Sequence, residues 1–293
     1  MVSITRILRA KGLIMKSTSA QFIDYLRNEK RKSENTCLSY DRDLRQFSGW
    51  LCSSCGITSV RDVTGDMINT YMDYLTSEGK SPATVSRAVA SVKALFSYAK
   101  ERGICGTDPV SAVRAPKVFK KKPGIISDKD ILKLLSQPDF DTPKGKRDKA
   151  MLELLMDTGL RVSELISIKL SDINLQKRFL TVKAAKERTV PFDKKTQRYI
   201  SEYIENGRAK LLQELPENGY LFLNVSGETM SRQGFWKVLK KYGEEAGITE
   251  ELTPHTLRHS FAAHALKSGK DVKEVQAVMG HADISTTASY LEL

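Results

Sequence analysis

Residues 112–124 (AVRAPKVFKKKPG) divide the chain into two parts with different patterns. The stretch has two prolines and five basic residues. It lacks the apolar periodicity of a packed element, so it reads as an exposed linker. Before it, apolar residues recur at helical spacing in four runs. Phe22, Ile23, Tyr25 and Leu26 mark a helix over 19–28, and Ser33-Glu34-Asn35-Thr36 precedes one carrying Tyr40, Leu44, Phe47, Trp50 and Leu51. Val63-Thr64 opens a third with Met67, Ile68, Tyr71, Met72 and Leu75. Ser81-Pro82, a cap followed by a first-turn proline, opens a fourth with Val85, Val89, Val92, Leu95 and Phe96, closed by Gly103. Four helices in so short a span predict a compact all-α module.

The part after the linker is mixed. Ser127 with Asp130 three residues on starts a helix. Helices follow over 146–157, closed by Gly159, and over 162–168. Residues 179–183 and 188–192 read as a hairpin, 193–215 as a long helix and 220–224 as a short strand. Further helices cover 231–246, the run from Thr253-Pro254 to Gly269, and the run from Asp271 to Gly280. The expected division is an extension over 1–15, a helical domain over 16–111, a basic linker over 112–124 and a second domain over 125–293.

A chain of 293 residues has room for two cores. Its formal charge of +12 supplies a field that attracts a polyanion, of which nucleic acid is the commonest. No run approaches the roughly 20 apolar residues that span a bilayer. The opening segment lacks the apolar core and cleavage site of a leader, so a cytoplasmic protein without a membrane partner is expected. Cys52 and Cys55 form a CxxC with no second pair and no nearby histidine, which favours ordinary thiols over a metal or redox site.

All four histidines fall in the last forty or so residues, as His255, His259, His264 and His281, and a late tyrosine, Tyr290, follows them. Imidazoles, a guanidinium (Arg258) and a phenol make up the equipment for attack on a phosphodiester: a proton-transfer group, a grip on the phosphate oxygens and a nucleophile. His255 and His259 are also four apart on one predicted helix, a metal-ligand spacing. They lack the glutamate of HExxH, and Arg258 between them repels a cation.

Thr158-Gly159-Leu160-Arg161-Val162-Ser163-Glu164-Leu165, His255-Thr256-Leu257-Arg258-His259, Gly280-His281 and Tyr290 together resemble the active-site boxes of the tyrosine recombinases, in wording closest to the Xer branch. The steps of 23 residues from Arg258 to His281 and 9 more to Tyr290 fit the same pattern. Ser33-Glu34-Asn35-Thr36 and Ser81-Pro82-Ala83-Thr84-Val85 are similar to that family's core-binding domain. The resemblance implies a mainly α protein with a small β-sheet in its catalytic domain. An all-α SAM-like core-binding domain would precede an α+β catalytic domain, the two forming a C-shaped clamp on double-stranded DNA.

The resemblance also implies a site. Tyr290 is the nucleophile, giving a 3′-phosphotyrosyl link. Arg161 and Arg258 grip the phosphate, His281 donates to one of its oxygens, and His255 takes or relays protons near the nucleophile. The general acid is a lysine of the hairpin turn. Counting back from Lys186-Glu187-Arg188 selects Lys183, with Lys186 as rival because this turn is about two residues shorter than the family's usual one. Thr84, Arg87, Lys93 and Arg232 lie where relatives face DNA, and Lys186 and Arg188 are further contacts. No metal or other cofactor is required, and a homo- or hetero-tetramer on two DNA sites is implied. Relatives usually continue for a helix beyond the tyrosine, which leaves protomer coupling open here.

The implied activity is cutting and rejoining of DNA at a specific site, as in chromosome or plasmid dimer resolution. Integration of a mobile element, relaxation of the type IB topoisomerase kind, and a non-catalytic basic DNA-binding regulator are the alternatives.

Overall fold

The computed structural model describes residues 3–106, 108–117, 124–183 and 187–292. The chain forms two compact units, Met1–Lys121 and Lys122–Leu293. Among the described residues no helix is long and apolar enough to cross a membrane.

The first unit consists of α1 (Ser3–Asn28), α2 (Glu34–Trp50), α3 (Gly65–Ser77) and α4 (Pro82–Glu101). Residues 3–15, expected as an extension, continue α1, and Met15 is buried in the core. Three helices start where side chains satisfy free N–H groups of the first turn: the hydroxyls of Ser33, Thr64 and Ser81 accept from Thr36, Met67 and Thr84. Phe22, Leu44, Phe47, Ile68, Tyr71, Val89 and Phe96 fill the core, each burial contributing about 1.5–3 kcal/mol for a side chain of this size. Cys37 and Cys105 are buried there, while the CxxC lies in a π-turn after α2, with Cys52 exposed. All four thiols are free.

The second unit opens with α5 (Asp128–Ser136), capped by Ser127, and α6 (Pro143–Thr158). The latter starts earlier than its apolar run suggested, because Thr142-Pro143 supplies a cap and a first-turn proline. Next come α7 (Val162–Ser167), a 3-10 turn at Leu170–Asp172, β1 (Ile173–Asn174), β2 (Phe179–Val182) and β3 (Arg188–Pro191). The expected hairpin is therefore part of a three-stranded antiparallel sheet, with Leu180 opposite both Ile173 and Val190. The long helix comprises α8 (Lys194–Tyr203), a π-turn at Ile204–Arg208 and α9 (Ala209–Leu212), ending where Gln213 takes φ +56°.

The strand expected over 220–224 does not form a ladder. It makes isolated bridges, Lys169 with Tyr220 and Leu223 with Thr229, and it is held by irregular bonds such as Leu223 N–H to the Tyr203 hydroxyl. The remaining elements are α10 (Arg232–Glu245), α11 (Pro254–Lys267), α12 (Val272–Met279), α13 (Ile284–Ala288) and a 3-10 turn, Ser289–Glu292, that carries Tyr290.

Apolar residues of α6, the inner face of the sheet, α8 and α10 make the main core of this unit. A smaller cluster of Phe261, Ala262, Ala265, Leu266, Val275 and Met279 encloses Tyr290. Gly159 ties this cluster to α6. It ends the helix at φ +59°, and a Cβ there would fall 2.2 Å from the Phe261 ring. Only glycine lets the chain turn into Arg161 while α11 packs so closely against it.

Candidate active site

The turn after α6 presents Arg161 as the residue that caps α7, with its own N–H bonded to Glu164 Oε2 at 2.9 Å. Glu164 is nearly buried and holds two guanidinium groups. Arg161 reaches Oε1 at 3.0 Å, and Arg188 of β3 makes a two-pronged contact at 2.9 and 2.8 Å. Burial pushes the Glu164 carboxyl up. The Arg188 fork, the Arg161 N–H and both positive charges more than reverse this, so it stays ionised below the usual carboxylate range.

Both arginines also hold the end of α12. Arg188 Nε donates to Val278 O at 2.9 Å, and Arg161 donates to Gly280 O at 3.2 Å. Gly280 has φ +65°, and a Cβ there would sit 3.0 Å from the Arg188 guanidinium. The sequence pattern assigns Glu164, within Thr158–Leu165, no role of its own. Its second partner, Arg188, is 24 residues away on β3 and reaches it only once the sheet has formed, which spacing does not reveal.

Arg258 comes from the first turns of α11, which is capped by Thr253. Its guanidinium is buried and anchored by the carbonyls of Gly159 and Met279, the latter at 2.6 Å. Desolvation, then the charges of Arg161 and Arg188, push its pKa down to about 10, so it remains a cation at neutral pH. Three guanidinium groups share one carboxylate, Glu164, so the cluster keeps a net positive charge that favours an anion. Arg161 and Arg258 line one pocket of about 590 Å³, together with His255, Arg232, Gln233 and Trp236. Trp236 is exposed there, and no motif in the sequence marks it.

His281 follows the left-handed Gly280. Its Nδ1 lies 2.8 Å from the hydroxyl of the fully buried Thr287, leaving Nε2 for a ligand. Burial and then Arg258 and Arg161 lower its pKa to about 4, so the ring is neutral at pH 7. It lies 6.3 Å, nearly parallel, from the ring of Tyr290. Tyr290 is 6% exposed, and its hydroxyl is 2.5 Å from Nδ1 of His259. His259 is thus the histidine on the tyrosine, and His255 is exposed on the pocket wall. Among the described residues no three His, Cys, Asp or Glu side chains gather as a metal site.

Several of the other expected residues have local partners. Lys183 extends from the end of β2 and bonds Asp172 Oδ1 at 2.6 Å, and that hydrogen bond and charge raise its pKa. It borders a separate cavity of about 260 Å³ with Glu164 and Tyr220, not the pocket of Arg161. Lys186 lies outside the described residues. Arg188 turns its fork onto Glu164. In the first unit Arg87 neutralises the buried Asp43 at 2.6 Å, Lys93 donates to Val113 O at 2.6 Å, and Thr84 joins the Ser81 cap. Arg232 is exposed at the start of α10, beside the pocket.

These features place a pocket lined by Arg161 and Arg258 in the same unit as a buried tyrosine, at its α11–α13 end. Residues 125–293 match the model of the phage integrase family, and residues 20–103 match its N-terminal SAM-like domain. The "Tyrosine recombinase XerD" of Listeria innocua is 42% identical over 271 residues, covering 92% of this chain and 91% of its own length. That of Halalkalibacterium halodurans is 39% identical over 272 residues, with the same coverage of both chains. The fold is similar to that of the Tn1549 transposon integrase in complex with a circular intermediate DNA, with TM-score 0.75 and 21% identity over 93% of this chain and 94% of that one. The chain belongs to the phage integrase family and is a tyrosine recombinase of the Xer type.

Proposed function

We propose that Tyr290 cuts one strand of duplex DNA at a specific site, and that the hydroxyl of a partner strand then attacks the resulting 3′-phosphotyrosyl link. The observation that carries this reading is the anion pocket made by Arg161 and Arg258 beside an enclosed tyrosine whose hydroxyl is already hydrogen-bonded. Arg161 and Arg258 neutralise charge that grows on the phosphate oxygens in the five-coordinate transition state. His281 donates through Nε2–H, which requires the Thr287 hydroxyl to donate to Nδ1. His255 and Arg232 contact the phosphate or its neighbours from the pocket wall. Phosphoester energy is kept in the covalent link, so rejoining needs no nucleotide.

The helical domain over 16–111 binds DNA with the catalytic domain over 125–293, and the linker over 112–124 joins them. Two duplexes exchanged in turn call for four protomers. The similarity to the XerD relatives supports site-specific recombination of the Xer type, and within it the reading here is chromosome or plasmid dimer resolution in the cytoplasm. Incubation with a nicked duplex, followed by a denaturing gel, tests the proposal. A covalent adduct and products joined between two different duplexes are expected. An adduct resealed only to its own strand would mean topoisomerase-like relaxation, and no adduct would mean a binding protein.

Lys183 is the proposed general acid, protonating the leaving 5′ oxygen after it is released from Asp172. Lys183→Ala is expected to cut slowly on ordinary DNA and to regain speed on a 5′-bridging phosphorothiolate, whose sulfur leaves without a proton. Rescue of Lys186→Ala instead would move the role three residues along the turn.

A further inference from the structure

The proton of the attacking phenol needs an acceptor, and the residue singled out for that task in the sequence, His255, makes no hydrogen bond to Tyr290. At pH 7 only about one free phenol in a thousand is ionised. Burial raises the Tyr290 hydroxyl further, although the Arg258 charge pulls the other way. Attack at a useful rate therefore calls for a base within hydrogen-bond reach.

We infer that His259 is the catalytic base for Tyr290, on the strength of the 2.5 Å contact between its Nδ1 and the tyrosine hydroxyl. The inference rests on the reading of Tyr290 as nucleophile. The two rings are 5.3 Å apart at 45°, and both are half or more enclosed by the elements around α11. The competing acceptor is already engaged, because Nδ1 of His281 is taken by Thr287.

The groups facing His259 are His255 one turn earlier on α11, Arg258 beside it, His281 after α12 and Tyr290 itself. Burial, then the charges of His255 and Arg258, hold its pKa below that of a free imidazole. It is neutral at pH 7 and free to accept, and the tyrosine O–H donating to Nδ1 fixes the remaining ring proton on Nε2.

In the cleavage step the proton moves from Tyr290 Oη to His259 Nδ1 as the Oη–P bond forms. The P–O5′ bond breaks, and O5′ leaves with a proton from the general acid. In rejoining, the incoming 5′-hydroxyl gives its proton to the deprotonated general acid, whose own proton left with O5′, and bonds to phosphorus. The P–Oη bond then breaks, and the imidazolium returns its proton to Oη.

The test compares single-turnover cleavage of a nicked duplex by the wild type, Tyr290→Phe, His259→Ala and His259→Asn from about pH 5 to 8.5. Asn offers a carbonyl where Nδ1 stood, so it would preserve a merely structural hydrogen bond but not basicity. Both His259 variants are expected to lose about 10²-fold or more in rate. They should also lack the wild type's fall in rate as pH drops through the His259 pKa, and a 5′-bridging phosphorothiolate should not rescue them. A His259→Asn protein that cuts at the wild-type rate with the same acid limb would overturn the inference.

Wild-type protein gives a second reading free of any folding defect. The ¹⁵N shifts of His259 should show Nδ1 unprotonated and Nε2 protonated, and a proton on Nδ1 would equally overturn the assignment. An adduct formed by Tyr290→Phe would instead defeat the reading of the nucleophile, whatever His259 does.

Discussion

Arg258→Lys is expected to slow strand cleavage by about 10²–10³-fold, the usual cost of losing a preorganised donor to a developing oxyanion. The physical reason is the way its fork is held. Two of its N–H groups are fixed by the carbonyls of Gly159 and Met279, and the rest are left at the pocket it shares with Arg161 and His255. A lysine supplies one flexible point charge and cannot bridge both carbonyls while also reaching a phosphate. Because the arginine contacts charge that grows during reaction, the loss should fall on the rate of cleavage at saturating DNA more than on affinity. Single-turnover cleavage beside a DNA-binding titration separates the two. Equal losses in both would make Arg258 an ordinary binding residue.

The largest expected loss of stability lies away from the pocket. Arg147 and Asp148, adjacent on α6, are almost wholly buried. The arginine bonds Asp148 Oδ1 at 2.9 and 2.6 Å and Leu223 O at 2.9 Å, and the Tyr242 hydroxyl donates to Asp148 Oδ2 at 2.9 Å. This network pins α6, α10 and the irregular segment 220–224 together. Asp148→Ala leaves the guanidinium buried with a single carbonyl and the tyrosine without its acceptor. It should cost about 3–5 kcal/mol, as for other broken buried pairs. Thermal unfolding should then come about 10 °C or more earlier. A loss below about 1 kcal/mol would mean that water reaches Arg147.

The helix boundaries were the most legible part of the sequence, because caps are local chemistry. Ser33, Ser81, Ser127, Thr253 and Asp271 each bond an N–H two or three residues on, and Gly159 and Gly280 each take the left-handed turn that closes a helix. The two-residue strand β1 had no comparable signal, since only pairing with β2 defines it. The segment 220–224 has the apolar content of a strand, yet its backbone partners are a side-chain hydroxyl and isolated bridges.

At the site, the motif residues Arg161, Arg258, His281 and Tyr290 come together as their spacing and the family resemblance suggested. The residues that hold them were not visible, because they act through contacts formed only on folding. Glu164 joins Arg161 to Arg188, Thr287 fixes the His281 ring, and His259 meets Tyr290. In the first unit Arg87 and Lys93, the expected DNA contacts, have intramolecular partners, the buried carboxylate of Asp43 and the carbonyl of Val113, which spacing does not reveal.

The central claim is that Tyr290 becomes covalently joined to DNA. It is tested most directly by trapping the adduct on a nicked duplex, digesting with trypsin and nuclease, and sequencing the modified peptide by mass spectrometry. The account predicts a nucleotide 3′-phosphate on Tyr290 in the peptide that begins at Glu274, absent from Tyr290→Phe. A nucleotide on any other residue, or an unmodified Tyr290 in trapped protein, would contradict it.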